Sequence, residues 1–353
     1  MALFKYTQAL IFLCVISLNT SYAQSIDPIV DDTLWYDALD IGVVGQGWKD
    51  TQAAYDRLPA KAKDMVRQDV WDLGHDTAGM LVRFKTNAKT INVRWQLTDN
   101  QLALPHMPAT AVSGIDLYAT DDQGKLRFVA NGRPNGMLNE ASFDVFGSDE
   151  YVLYLPLYNG IKFMKIGIPK GSTLSNTATP SRQIVFYGTS ITQGGTVSRP
   201  GMAGTSIIAR EIDATMINLG FSCNGKMEIE LAELLAELDP AVYVLDCLWN
   251  MTPDQVSNRV APFIKRLRLS HPSTPIILAE DSSYKNLPTE KGDIVRKIYK
   301  NLTDSGDENL YFLANTNMLG TDHDGTVDGV HPNDLGMRRQ SNVFIEILKK
   351  ILD

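Results

Sequence analysis

The chain has 353 residues, of which 44% are hydrophobic and 21% charged, an ordinary composition for a globular protein with a sizeable core. Its formal net charge is −8 and it contains no basic cluster, which argues against nucleic acid and anionic membrane surfaces as partners. The length exceeds that of a typical single domain, so we expect two domains.

The N-terminal segment has the pattern of a secretory signal peptide. Lys5 precedes an apolar run over residues 9–18 that is too short to span a bilayer, and a small-x-small cleavage site ends at Ala23. We therefore expect residues 1–23 to be removed. The mature chain is then exported, to the periplasm or out of the cell, without a stable membrane anchor.

Cysteine usage does not indicate a disulfide scaffold. Cys14 would leave with the signal peptide, and the mature chain keeps Cys223 and Cys247. Buried free thiols are the simpler expectation, and the sequence leaves open whether the two pair.

Residues 24–175 have the sequence pattern of an antiparallel β-sandwich. Six short runs rich in β-branched and aromatic residues are separated by Gly, Asn, Asp and Pro turns. These predicted strands cover residues 80–85, 90–96, 113–119, 126–130, 151–157 and 162–168. One or two helical turns are expected around residues 60–66. The polar, turn-rich residues 171–182 predict a linker.

Five aromatic residues of this first half are candidates for stacking on sugar rings. They are Trp35, Tyr36, Trp48, Trp71 and Trp95. Core packing is the commoner role for such side chains, and the sequence leaves both roles open.

Residues 182–353 alternate between strand and helix patterns. The predicted strands cover residues 184–187, 216–219, 242–245, 276–279 and 311–314. The predicted helices cover residues 204–212, 228–238, 253–269, 290–305 and 335–351. This alternation indicates a flavodoxin-like α/β/α domain with a mostly parallel sheet, and ligands in such folds bind beyond the carboxyl ends of the strands.

The first strand of this half runs directly into a serine. After the buried run at residues 184–187, the turn Gly188-Thr189-Ser190 leads into a helix whose free N–H groups would lie near the Ser190 hydroxyl. Neither dinucleotide-binding nor P-loop spacing fits here, and Thr192 occupies the last glycine position of a G-x-S-x-G elbow. Ser190 is therefore a candidate nucleophile, with helix capping as the alternative.

Two later strand ends carry candidate oxyanion donors. The second strand ends in a loop that begins with Gly220, where backbone N–H groups can approach a ligand closely. The third strand is followed by Asn250, whose side-chain amide can donate to an oxyanion. A place in the N-terminal turn of the next helix is the alternative for Asn250.

An aspartate and a histidine lie three residues apart near the C-terminus, in a loop that contains a glycine. Asp328 can accept a hydrogen bond from one ring nitrogen of His331, leaving the other nitrogen to deprotonate a serine hydroxyl. The carboxylate would fix the tautomer and stabilise the imidazolium as it forms. This division of labour is typical of serine acyl transfer.

A metal site is the competing interpretation of this region, because Asp322, His323, Asp324 and Asp328 lie near His331 in the sequence. No established metal-ligand spacing is present, and Gly325 comes too early for a calcium-binding loop. The remaining histidines have no such neighbours and are expected to be surface or packing residues: His75, His106 and His271.

The second half resembles the SGNH or GDSL hydrolases in four blocks that occur in the expected order. Residues 188–190 with Gly194 resemble the first block, Gly220 the second, Asn250 the third and residues 328–332 the last. Thr189 occupies the position of the Asp in the GDSL motif after which the family is named. In the third block Leu248 and Met251 replace Gly and Asp.

This resemblance implies a role for each candidate. Ser190 would be the nucleophile, His331 the base and Asp328 the residue that orients the base. The backbone N–H groups of Ser190 and Gly220 and the side chain of Asn250 would form the oxyanion hole. No cofactor and no metal ion is implied, since serine acyl transfer requires none.

The first half resembles the β-sandwich that precedes the hydrolase in one exported, two-domain branch of the family, through Gly114-Ile115-Asp116-Leu117-Tyr118, a G-x-D-L-Y motif. Plain strand alternation is the alternative explanation of the motif. The branch implies a serine esterase that removes small acyl groups, chiefly acetyl, from a small-molecule or polysaccharide substrate. Alternatives are a lipid ester or thioester hydrolase, and a carbohydrate-binding protein with an idle hydrolase domain.

Overall fold

The computed structural model describes residues 32–353, and the predicted signal peptide lies outside the described residues. Residues Thr33–Asp353 form one compact unit. Within the described part of the chain, no helix has both the length and the apolar character needed to cross a membrane.

The N-terminal part contains two antiparallel sheets. The first has the strand order β1-β9-β4-β7, and the second has the order β10-β3-β8-β5-β6 with β2 also paired to β3. Their bounds are β1 Thr33–Asp37, β2 Val43–Val44, β3 Leu81–Thr86, β4 Thr90–Leu97, β5 Ile115–Thr120, β6 Leu126–Gly132, β7 Leu138–Asp144, β8 Glu150–Tyr154, β9 Ile161–Pro169 and β10 Leu174–Asn176. Buried side chains from both sheets form one core cluster, as expected for a sandwich.

Short helices connect these strands. They are α1 Ala38–Ile41, α2 Gln68–Leu73, α3 Ala109–Val112 and a 3-10 turn at Ala60–Asp64. All six strands predicted for this half are present, but the sequence did not reveal β1, β2, β7 or β10. Strand β10 lies inside the predicted linker and pairs with only three residues of β3. Strand β7 is rich in polar residues and is held at the sheet edge by its pairing with β4.

The aromatic residues suggested for sugar stacking occupy packing positions. Trp95 is buried in the sandwich core, and Tyr36 packs against that core. Trp48 and Trp71 are buried in the core of the C-terminal part. Trp35 packs beneath the Arg94 guanidinium, with 4.1 Å between the guanidinium carbon and the ring centroid. Trp48, Trp71 and Trp95 are therefore closed to a sugar, while Trp35 and Tyr36 are partly buried by their packing contacts.

The C-terminal part is built on a five-stranded parallel sheet with the order β12-β11-β13-β14-β15. The strands are β11 Gln183–Gly188, β12 Thr215–Gly220, β13 Val242–Asp246, β14 Ile276–Ala279 and β15 Leu310–Leu313. The helices are α4 Ser190–Gln193, α5 Gly204–Ile212, α6 Ile229–Leu235, α7 Pro253–Ser270, α8 Glu290–Asp304 and α9 Asp334–Leu352. This strand order is flavodoxin-like, as predicted, with the change of direction at β11.

The sheet is covered on both faces. One core cluster joins it to α6, α7 and α8, and the other joins it to α5 and α9. Strand β11 is the second of five strands and is buried at five of its six residues, which explains its apolar sequence. Its carboxyl end lies between those of β12 and β13, at the position where open α/β sheets bind ligands.

Candidate active site

Ser190 is the first residue of α4, directly after β11. The helix is capped by Thr189, whose side-chain oxygen accepts a hydrogen bond from the Ile191 N–H at 3.2 Å. Gly194, with a φ of 107°, ends the helix after one turn. The Ser190 hydroxyl therefore does not cap the helix. The backbone N–H of Ser190 has no partner among the described residues.

The structure brings Ser190, His331 and Asp328 together in a chain of hydrogen bonds. The distance from Ser190 Oγ to His331 Nε2 is 2.8 Å. The distance from His331 Nδ1 to Asp328 Oδ2 is 2.7 Å. Because an ionised carboxylate only accepts hydrogen bonds, Nδ1 carries the proton and Nε2 is left to accept from the serine hydroxyl. This is the geometry that a general base requires.

The loop at residues 326–332 holds this pair by its own hydrogen bonds. Asp328 Oδ1 accepts from the N–H groups of Val330 at 2.9 Å and His331 at 2.8 Å. Thr326 Oγ1 donates to the His331 carbonyl at 2.8 Å. Although desolvation alone would raise it, the pKa of Asp328 is lowered overall, because these N–H groups and the His331 ring stabilise the carboxylate. Asp328 is thus held ionised.

Asn250 lies at the end of a 3-10 turn after β13, and the N-cap of α7 is Thr252 rather than Asn250. The Gly225 N–H donates to Asn250 Oδ1 at 3.2 Å, which fixes the orientation of the amide. Nδ2 makes no hydrogen bond within the described part of the chain. Asn250 therefore presents a free donor group, and the helix-cap alternative for it is excluded.

Gly220 is placed differently from the expectation. Its N–H donates to Asn218 Oδ1 at 2.9 Å, and the residue is buried against α4 at the end of β12. In the turn that follows, the backbone N–H of Cys223 has no partner in residues 32–353. Cys223 is exposed and has a φ of 60°. The free donor of this loop is thus three residues later than predicted.

The turn that carries Cys223 consists of residues 221–225 and packs against the nucleophile strand. A Cβ atom at Gly225 would collide with the Gly188 carbonyl oxygen, so only glycine allows this approach. The Phe221 N–H donates to the same carbonyl at 3.0 Å. The turn therefore lies directly beside the segment that carries Ser190. Cys223 and Cys247 are both free thiols, but the expectation that both are buried is correct only for Cys247, since Cys223 is exposed.

His106 from the N-terminal part lies close to the same site. Its ring centroid is 6.3 Å from that of His331, and its side chain is exposed. The sequence predicted a surface or packing residue, because the residues around His106 carry no recognisable motif. Only the packing of the two halves brings it beside the His331 loop.

Two of the residues considered for a metal site have other partners. Asp322 forms a bidentate ion pair with Arg339, with both oxygen-to-nitrogen distances at 2.7 Å. The His323 ring packs edge-on against Tyr284 at 5.2 Å. No group of three potential ligands that could hold a metal ion occurs within residues 32–353.

The G-x-D-L-Y motif joins the two halves. Buried Asp116 accepts hydrogen bonds from Arg199 Nη1 at 2.9 Å, the Gly201 N–H at 2.8 Å and Asn131 Nδ2 at 2.7 Å. The Tyr118 hydroxyl accepts from Arg199 at 2.7 Å. Burial raises the pKa of Asp116, and its three donors oppose that effect. The motif thus anchors the segment that follows α4.

A β-sandwich followed by a parallel α/β/α sheet of this order, with the chain of Ser190, His331 and Asp328 at its carboxyl edge, defines an SGNH-type hydrolase fold. The family comparisons agree with this fold. The GDSL-like lipase/acylhydrolase family matches residues 181–349, and the N-terminal domain of SGNH-hydrolase-type esterases, GxDLY, matches residues 33–174. The chain belongs to the GDSL-like lipase/acylhydrolase family.

One solved structure gives the same assignment, and two others share the fold. A protein from Bacteroides ovatus ATCC 8483, described as a GDSL-like lipase, is 35% identical, with a TM-score of 0.83 over 91% of this chain and 98% of that chain. A salicylyl-acyltransferase from a tetracycline biosynthetic pathway has 16% identity and a TM-score of 0.73 over the same shares. An acetyl xylan esterase from the rumen bacterium Butyrivibrio proteoclasticus has 15% identity and a TM-score of 0.57, also over 91% and 98%. The last two share the fold. No curated protein matches the chain significantly.

Proposed function

We propose that the protein is a serine esterase that removes small acyl groups, acetyl above all, from esters of carbohydrates. The observation that carries the proposal is the 2.8 Å contact between Ser190 Oγ and His331 Nε2, backed by the carboxylate of Asp328. The Asn250 amide and the loop that packs against the nucleophile strand, both close to this contact, support acyl transfer.

In the proposed reaction His331 Nε2 takes the proton from Ser190 Oγ as that oxygen attacks the ester carbonyl. The tetrahedral oxyanion accepts hydrogen bonds from the N–H groups of Ser190 and Cys223 and from Asn250 Nδ2. Protonated His331 gives its proton to the oxygen of the leaving alcohol, which departs and leaves Ser190 acylated. Water then repeats the sequence on the acyl-enzyme and releases the carboxylic acid.

Cys223 takes the place that the sequence suggested for Gly220. The Gly220 N–H already has a partner in Asn218, whereas the Cys223 N–H has none among the residues described. The residue supplies a backbone donor, so its side chain takes no part in this step. The thiol is exposed beside the proposed oxyanion site and does not enter the reaction.

A small acyl group is supported by the surroundings of the serine. Cavities of about 570 and 400 Å³ are lined by residues other than Ser190 and His331. A cavity behind α4, lined in part by Ile191, Thr192 and Asp246, has a volume of only about 20 Å³. This small cavity leaves no room behind α4 for a fatty acyl chain. Asp328 is half exposed, so the site is open to a bulky leaving alcohol.

The carbohydrate part of the proposal is supported by the acetyl xylan esterase and by a family two carbohydrate esterase from Cellvibrio japonicus, which share the fold. An oligosaccharide or polysaccharide ester suits the open site, because only the acyl group has to enter the space between Ser190 and its donors.

The test compares wild type with Ser190→Ala on chromogenic acetyl, butanoyl and octanoyl esters, and then measures acetate released from acetylated glycans. We expect the acetyl ester to be preferred and Ser190→Ala to lose about 10⁴- to 10⁶-fold in kcat. A preference for octanoyl would indicate a lipid esterase. No hydrolysis by wild type would indicate a binding protein, and undiminished hydrolysis by the variant would refute the role of Ser190.

A further inference from the structure

The 221–225 turn is held only in part by the C-terminal half. The Ser222 N–H donates to Gln193 Oε1 at 3.0 Å, and the Gly225 N–H donates to Asn250. Asn224 is held differently. Its N–H and its Nδ2 donate to Phe221 and Ser222, so both of these hydrogen bonds stay within the turn. On its outer side the turn depends on other partners.

Arg67 of the N-terminal part provides those partners. Its Nη1 donates to Asn224 Oδ1 at 2.6 Å, and its Nη2 donates to the Asn224 carbonyl at 3.1 Å. Its Nε donates to Glu228 at 2.9 Å, which fixes the plane of the guanidinium. Among the described residues, Arg67 makes the hydrogen bonds of Asn224 that leave the turn. Because the planar guanidinium donates two hydrogen bonds to Asn224, it constrains both the distance and the orientation of that residue.

Three more side chains of the N-terminal part support the same region. Buried Arg57 donates to the Gly220 carbonyl at 2.8 Å, at the base of the turn, and lies over the Phe221 ring. The Tyr158 hydroxyl donates to the Ser190 carbonyl at 3.0 Å. Asp76 accepts a hydrogen bond from Gln193 at 2.9 Å. The N-terminal part thus holds both the turn and the serine segment.

We propose that Arg67 is a positioning residue for ester hydrolysis: it holds the 221–225 turn so that the Cys223 N–H points at the oxyanion. This inference rests on the proposed function. Arg67 touches neither the substrate nor the reacting atoms, and it acts through Asn224, the residue next to Cys223. The N-terminal half is then part of the catalytic machinery.

The physical reason is the narrow geometry of oxyanion stabilisation. A donor acts only when it lies about 2.7–3.1 Å from the developing oxyanion. A displacement of about 1 Å can cost on the order of 10²-fold in rate. The left-handed backbone of Cys223 is unfavourable for a residue with a Cβ, so a turn released from Arg67 is free to relax away from it.

The experiment compares Arg67→Met and Arg67→Lys with a matched control, Lys61→Met. Lys61 also joins the two halves, through a 2.7 Å ion pair with Glu237, but neither residue is part of the turn. The measurements are kcat and KM on a chromogenic acetyl ester, the inhibition constant of a trifluoromethyl ketone, which forms a tetrahedral adduct with an oxyanion, and amide hydrogen exchange of the turn.

We expect Arg67→Met to lower kcat about 10- to 100-fold and to leave KM within about threefold of wild type. The inhibition constant of the trifluoromethyl ketone should rise by the same factor as kcat falls. Exchange in residues 221–225 should quicken, Arg67→Lys should be intermediate, and Lys61→Met should match wild type. If kcat stays within threefold, or falls without parallel weakening of the ketone, the inference is overturned. A wild type without Ser190-dependent hydrolysis would instead overturn the proposed function and this inference together.

Discussion

The free amide of Asn250 gives the sharpest quantitative prediction. Its Oδ1 is fixed by the Gly225 N–H at 3.2 Å, so Nδ2 is oriented before the substrate arrives. Removing one oxyanion donor costs roughly 10²–10³ in kcat, or about 2.7–4 kcal/mol. Asn250 is partly exposed, so water can replace part of the lost donor. We therefore expect Asn250→Ala to lose about 10²-fold, near the lower bound, with KM little changed.

Asn250→Asp sharpens the test. An aspartate still accepts from the Gly225 N–H, but it puts an acceptor and a negative charge where the donor stood, so its loss in kcat should exceed that of Asn250→Ala. Unfolding should show only about 1 kcal/mol of destabilisation in Asn250→Ala, for the one hydrogen bond removed. A kcat within threefold of wild type in either variant would refute the assignment of Nδ2 to the oxyanion.

Three further predictions concern residues around the site. Cys223→Gly keeps the backbone N–H and removes the side chain of a residue whose φ is 60°. The variant should therefore retain kcat within a few-fold, gain about 1 kcal/mol in unfolding free energy and resist inactivation by iodoacetamide. Loss of activity would contradict this. His106→Ala should raise KM several-fold for an acetylated oligosaccharide but not for a small chromogenic ester, since the leaving alcohol must lie on the His331 side; equal effects on both would contradict it. Burial, reinforced by Asp281 and opposed by a hydrogen bond from Thr192, raises the pKa of Asp246 to about 6. Because the folded state then binds this proton more tightly than the unfolded chain, the contribution of Asp246 to stability falls as pH rises from about 4 to 6. Asp246→Asn should therefore gain up to about 3 kcal/mol over wild type at pH 8 and little at pH 4, and a pH-independent difference in denaturant titrations would contradict this.

Much of the candidate site could be predicted from the sequence, because strand ends and local spacing are visible in it. Ser190 follows a buried strand, and Asp328 and His331 share one loop whose hydrogen bonds are nearly all local. The position of Asn250 follows from the end of β13. In each case a short stretch of chain determines the geometry, and the parallel sheet brings the stretches together.

The donor in the second loop could not be predicted in the same way. A glycine suggests freedom for the backbone, and Gly220 was therefore favoured, but it is the N–H of a cysteine with positive φ that is left free. The roles of His106 and Arg67 depend on contacts between the two halves of the chain, separated by more than a hundred residues. Trp48 and Trp71, for which core packing was the commoner expectation and sugar stacking the alternative, are buried in the core of the C-terminal half, again through contacts between the two halves.

The most direct test of the central proposal is to trap the acyl-enzyme. Wild type mixed with a chromogenic acetyl ester, quenched in acid within milliseconds and digested, should yield one acetylated peptide. Mass spectrometry should place the acetyl group on Ser190, and Ser190→Ala should show neither the label nor the rapid release of chromophore. An acetyl group on another residue of an active enzyme, or full hydrolysis by Ser190→Ala, would contradict the proposed mechanism.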